Sequence, residues 1–239
     1  MVHPTTRKPG RRALASTSLL AALSIFAACT DDCAPAARPD GWLAEQFKSE
    51  GVLWIRAERE RNHRLAAPLS EQDRRALSRY FPQDVLGRAR ILVVEGFDNP
   101  DFFSIFEESG EPYPVDLRKA SAIALVDTIL IARAASESSL RDRLLFHELV
   151  HMMQYEILGL EEYMEGYVEG WVRNGRRYRG IPHEEQAFEL ATRFWSGAEP
   201  FSVEAEVRSR FAVAARTAQE WPKRGATLRP SLLDTVTSP

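Results

Sequence analysis

The chain's clearest chemistry lies in the run LLFHELVHMMQYEIL, where His147, Glu148 and His151 stand close together. Residues four apart on a helix share a face, one turn above the other. His147 and His151 can therefore aim two imidazoles at one metal ion, and Glu148 projects close enough to reach a water on that ion. Two neutral imidazoles leave such a metal cationic, so it acidifies its water and polarises a carbonyl. The implied chemistry is metal-assisted hydrolysis of an amide bond, with Glu148 as general base. The helix that carries these residues is apolar nearly all round, which predicts burial. Burying two histidines and a glutamate without partners is costly, and a metal with its water would resolve that cost.

Catalytic zinc usually has three protein ligands and one open position. The next histidine along the chain is His183, in Pro182-His183-Glu184-Glu185-Gln186-Ala187 at the head of a further helix. Glu184 lies 33 residues after His151, which leaves room for one intervening helix that turns the chain back. Glu185 stays open as a third ligand if that helix is rotated. Glu169, 18 residues after His151, suits a shorter spacer. His183 reads as a surface loop histidine. Glu161, Glu162 and Glu165 read as a solvated face. Tyr163, Tyr167 and Tyr178 lie in the segment that must wrap the site, either as packing or as a donor to the oxyanion. Two imidazoles and a carboxylate favour Zn2+ over other divalent ions.

With the HELVH run and a later Glu-x-x-Ala element (Glu184 and Ala187), residues 128–196 resemble the zincin-like metallopeptidases of gluzincin type. That resemblance implies Glu184 as the third metal ligand. It also implies a peptide or protein substrate, aligned along the edge of a small sheet. Here that edge would be the strand Thr128–Arg133. A reading from another class remains beside it: an envelope binding or scaffold lipoprotein whose metal site is structural or degenerate.

The elements that must position these residues follow from the pattern. Residues 41–64 read as a helix, interrupted near Gly51. Ser70 opens a capping box and a helix to Tyr80, which Pro82 stops. Residues 89–95 are β-branched and read as a strand. Gly96 to Pro114 reads as a long loop with aromatic anchors. Residues 121–126 and 128–133 read as two strands joined by a tight turn at Asp127. The motif helix runs from Leu140 to Leu158, with Ser139 and Asp142 as its N-terminal capping pattern and Gly159 as its stop. Helices over 161–173, 183–196 and 201–219 follow. The fold class is α+β and zincin-like, with a small sheet packed on a buried active-site helix and further helices C-terminal.

Residues 1–12 are basic, and residues 13–28 are apolar and small, which reads as a secretory signal too short to span a membrane comfortably. It ends Phe26-Ala27-Ala28-Cys29, which resembles the lipobox of bacterial lipoproteins. That implies lipidation at Cys29 and an exported, membrane-anchored protein of the bacterial envelope, with Thr30 favouring the outer membrane. Residues 29–39 read as a flexible tether, 40–222 as the metallohydrolase domain and 223–239 as a frayed tail. The other cysteine, Cys33, supports neither a disulfide framework nor a cysteine metal site. The formal charge is −3; removing the four basic residues of the signal leaves 27 basic against 34 acidic side chains, a net −7. A net acid without a basic patch has no electrostatic footprint for nucleic acid.

Overall fold

The structure, a computed structural model, describes residues 41–220, with side chains to residue 212. The signal segment 1–28, Cys29, the tether 29–39 and the tail 223–239 lie outside the described residues. Among the described residues the architecture is α+β, mostly helical, with one four-stranded sheet.

The N-terminal helix α1 (Trp42–His63) runs without interruption. Gly51 does not break it. A Cβ there would stand 2.5 Å from Met164 Cε, so the glycine admits a neighbouring helix at close range. After the two-residue strand β1 (Ala67–Pro68), helix α2 (Glu71–Leu77) starts at Ser70, whose hydroxyl accepts from the Asp73 N–H at 3.0 Å. The capping box is thus present. The helix ends at Leu77, short of Tyr80, and Pro82 does not stop it but takes the N-cap position of another, α3 (Gln83–Arg88), where its missing N–H goes unneeded.

Strand β2 (Arg90–Val94) is followed by the Gly96–Pro114 segment, which is not a bare loop. It holds a 3-10 turn at Asp101–Phe103 and the short helix α4 (Ser104–Ser109). Phe103 and Phe106 are buried there, with ring centroids 5.4 and 5.8 Å from Tyr113 and Trp171 respectively. Their helical spacing is the signal that a loop reading passes over. Strands β3 (Ala122–Leu125) and β4 (Thr128–Ala132) form the expected hairpin. Its turn is fixed from outside: the Arg59 guanidinium of α1 holds both Asp127 oxygens, at 2.7 and 2.6 Å.

The strand order is β1-β2-β4-β3, with β4 parallel to β2 and antiparallel to β3. This corrects one expectation. Thr128–Arg133 does not form a sheet edge: β4 is an interior strand buried over Thr128–Ile131, and Arg133 begins the short helix α5 (Arg133–Ser136). The edge strands are β1 and β3, and β3 packs on the motif helix.

That helix, α6 (Arg141–Leu158), is buried at every residue from Leu145 to Tyr155. Ser139 does not cap it. Leu140 takes the N-cap position, with its N–H donating to the Ser138 hydroxyl at 3.2 Å, and Arg141 is clamped to Asp73 at 2.7 and 2.9 Å. Gly159 ends it at φ 80°. Helices α7 (Leu160–Arg173), α8 (Pro182–Trp195) and α9 (Val203–Glu220) then pack around it. No helix among the described residues is long and apolar enough to cross a membrane.

Candidate metal centre

Helix α6 supplies two candidate ligands by local geometry alone. His147 and His151 lie one turn apart, with their Nε2 atoms 3.0 Å from each other. Helix α8 supplies the third: Glu184 Oε2 is 3.5 Å from His147 Nε2 and 3.4 Å from His151 Nε2. One ligand atom from each of the three residues falls within 4.8 Å of the others, and all three residues are buried. The α7–α8 turn brings Glu184 back. Pro182 starts α8 against α7 so closely that a Cβ on Gly170 would stand 2.5 Å from Pro182 Cδ.

The rival ligands fall away from the cluster. Glu185 is exposed on the other side of α8, and Glu169 is exposed on α7, paired with Arg173. His183 is not a surface residue: it is 1% exposed and packs between Tyr163 and Phe211, and neither ring nitrogen has a hydrogen-bond partner. Burial, then the nearby His151, pushes its pKa down to about 3, which keeps the ring neutral.

Hydrogen bonds behind the ligands set their chemistry. Gln154 Nε2 donates to the His183 carbonyl at 3.0 Å and to Gln186 Oε1 at 3.1 Å. Those two acceptors fix the amide, so its Oε1, 2.9 Å from His151 Nδ1, must accept from that nitrogen. His151 therefore carries a proton on Nδ1, and Nε2 is the nitrogen that faces the cluster. Gln186 Nε2 in turn donates to the Glu206 carbonyl at 3.0 Å. A relay of three hydrogen bonds thus runs from the α9 backbone to a ligand on α6.

The three tyrosines are also engaged here. Tyr163 Oη lies 3.3 Å from His151 Nδ1; Tyr167 and Tyr178 donate to Glu184, at 3.2 Å to Oε1 and 2.6 Å to Oε2. Their hydroxyls thus serve the ligands. The sequence held only the presence of these tyrosines in the wrapping segment, and nothing singled out Gln154 or Gln186.

Charge balance within the cluster explains its titration. Burial alone would raise the Glu184 pKa, but His151, with His147, holds it well below the usual carboxylate range. Burial would lower His151, yet Glu184 outweighs it and lifts the imidazole to about 9. Glu148, 4% exposed, shifts the other way: burial raises its pKa, and the two histidines only partly offset this. The Ala124 backbone amide on β3 also stabilises its charged form.

The donor set could hold a divalent metal ion. It comprises two imidazoles and one carboxylate, with ligand orientation fixed from behind. The cluster opens onto a cavity of about 150 Å3 walled by Phe47, Trp54, Phe103, Ile123 and Met164, with Glu148 facing it. An apolar cavity of roughly this size holds a benzene-sized group. The chain matches no family model, no curated protein and no solved structure.

Proposed function

We propose that the chain is a zinc-dependent hydrolase of amide bonds, a peptidase of the HExxH kind. One observation carries the reading: His147, His151 and Glu184 converge within 4.8 Å beside Glu148, at the mouth of a cavity. Among the described residues this group has three protein ligands, as a catalytic site has, where a structural site has four.

A bound zinc supplies Lewis acidity, lowering the pKa of water and polarising a carbonyl. The chain's own residues do the rest. Glu148 takes the proton of the attacking water on its carboxylate, holds it in a site that favours the neutral acid, and returns it to the leaving nitrogen. β3 is an edge strand, and its half-buried end at Ala122 and Ile123 would pair with an extended peptide. The apolar cavity takes a large side chain beside the scissile bond and excludes water from it.

The test is turnover of peptide pools by the zinc-loaded chain against Glu148→Gln. The variant should keep its zinc and lose at least about a hundredfold in rate, the scale of general acid–base catalysis. Full activity in that variant refutes the assignment.

The same reading has the chain exported and anchored in a bacterial envelope by a lipid on Cys29, supported by the basic, apolar and small-residue order before that cysteine. Cys29→Ala should move the protein from the membrane fraction to the soluble one, and an unchanged distribution would refute the anchor.

A further inference from the structure

We propose that the groove beside the metal cluster selects peptides that carry a carboxylate near the scissile bond, bound by Arg143 and Arg177; this rests on the peptidase reading above. A second groove adjoins the apolar cavity at the same residues. His147, Glu148 and Tyr178 line both. The cavity is walled mainly by aromatic and aliphatic side chains, whereas the groove also holds Lys119, Arg143, Arg176 and Arg177.

The charges facing the groove separate into satisfied and unsatisfied. Lys119 lies 3.3 Å from Asp116, whose carboxylate also takes Arg118 at 2.8 Å. Arg176 is paired with Glu111. Glu148 belongs to the reaction itself. Arg143 and Arg177 have no carboxylate partner among the described residues. Arg143 precedes His147 by one helical turn on the same face of α6, so it lies next to the ligand. Its Nη2 donates to Thr192 Oγ1 of α8 at 2.9 Å, which braces the guanidinium on the groove wall. Four of its five N–H donors are then free for a ligand. Arg177 is exposed on the turn before Tyr178, whose hydroxyl holds Glu184.

Two uncompensated guanidinium groups flank the reacting centre of a chain with net charge −3. Their positive field therefore opposes the average of the molecule, and a cleft focuses it. The planar guanidinium fork matches a carboxylate in both charge and geometry. Leu140 and Phe188, large exposed apolar residues in the same groove, provide surface for the peptide chain between anchor points. The carboxylate comes from an Asp or Glu side chain or from a peptide C-terminus.

The test is equilibrium binding, read by anisotropy of a neutral fluorophore. The full chain bearing Glu148→Gln and loaded with zinc is titrated with peptide pools that carry Glu, Gln or Lys at one fixed position. Each pool is made both as the free acid and as the C-terminal amide. A Glu pool, or a free-acid pool, should bind about tenfold tighter than its neutral counterpart, the scale of one charged hydrogen-bonded contact. Which of the two shows the gain identifies the source of the carboxylate. The gain should vanish in Arg143→Gln/Arg177→Gln. It should persist in Thr192→Val, which removes the brace and keeps the charge. Because Arg177 is exposed, Arg177→Gln alone preserves the fold and should reduce the gain at least threefold. Equal binding of charged and neutral pools, a gain that survives loss of both arginines, or no binding of any pool overturns the proposal. Failure of the peptidase reading looks different: the wild-type chain binds the Glu pool and leaves it uncut.

Discussion

Tyr178 Oη donates to Glu184 Oε2 at 2.6 Å, tying the turn after α7 to the carboxylate that heads α8. The same oxygen faces both histidines. The hydroxyl therefore fixes the direction of a ligand whose own backbone lies on a different helix from the other two. Removing it with Tyr178→Phe should weaken zinc binding about tenfold, the lower end for an outer-shell partner. Tyr167→Phe, with its longer contact of 3.2 Å, should cost less. Competition with a chromophoric chelator measures both, and unchanged affinity in both variants would remove the tyrosines from the metal's support.

The ligand set predicts a sharp division among four glutamates and histidines of similar type. The wild-type chain should purify with about one zinc per chain, and His147→Ala and Glu184→Ala should each lose it. Glu185→Ala and Glu169→Ala should retain it, since both side chains are exposed away from the cluster. Elemental analysis of the purified variants decides this, and zinc retained in Glu184→Ala would dissolve the assigned triad.

The glutamine relay makes a prediction at a distance. Gln186 touches neither a ligand nor the cavity, yet it orients Gln154, which sets the His151 tautomer. Gln186→Leu should lower zinc affinity on the order of tenfold, through Gln154 turning or losing a partner. It also leaves the Glu206 carbonyl without its partner, so some stability should go as well. Zinc affinity equal to wild type would show that the relay does not govern the ligand.

Gly170 tests the closeness of α7 and α8. An alanine Cβ would meet the rigid Pro182 ring at 2.5 Å, two residues before Glu184. Overpacking of this kind costs about 1–3 kcal/mol. Gly170→Ala should lower the melting temperature and loosen zinc together. Gly51→Ala should be milder, because the atom it meets is the flexible end of Met164. Equal melting temperatures for wild type and Gly170→Ala would contradict the packing.

The pair between Asp73 and Arg141 gives the pH dependence. Burial alone would raise Asp73, but Arg141, with Ser70, holds its pKa below the ordinary range. Its folded pKa therefore lies below its unfolded value of about 3.9. The stability it contributes is fully present above that unfolded value and is lost as pH falls through the folded one. Asp73→Asn should cost about 1–2 kcal/mol at neutral pH, between an exposed and a buried pair. It should also flatten the acid limb of stability below about pH 4. Denaturant melts at pH 7 and pH 3 check both, and an identical loss at the two values would remove the pair as the cause.

Much of the site was legible in the chain because it is local. Two histidines and a glutamate on one helix depend only on a repeat of 3.6 residues per turn, and the apolar run around them foretold burial from Leu145 to Tyr155. The capping box at Ser70 and the stop at Gly159 are local for the same reason. The choice of Glu184 over Glu185 and Glu169 was open in the sequence. The packing of α8 on α6 brings Glu184, and neither of the other two, to the histidines, since successive residues on a helix of 3.6 residues per turn point about 100° apart. Strand order was beyond reach: Thr128–Ala132 and Ala122–Leu125 have similar composition, and only the parallel pairing of β4 with β2 leaves β3 as an edge. The burial of His183, the Gln154–Gln186 relay and the tyrosines on Glu184 join residues between 6 and 32 positions apart. Side-chain spacing fixes what one helix presents, but contacts between elements are set by packing, and packing is decided by the whole core at once.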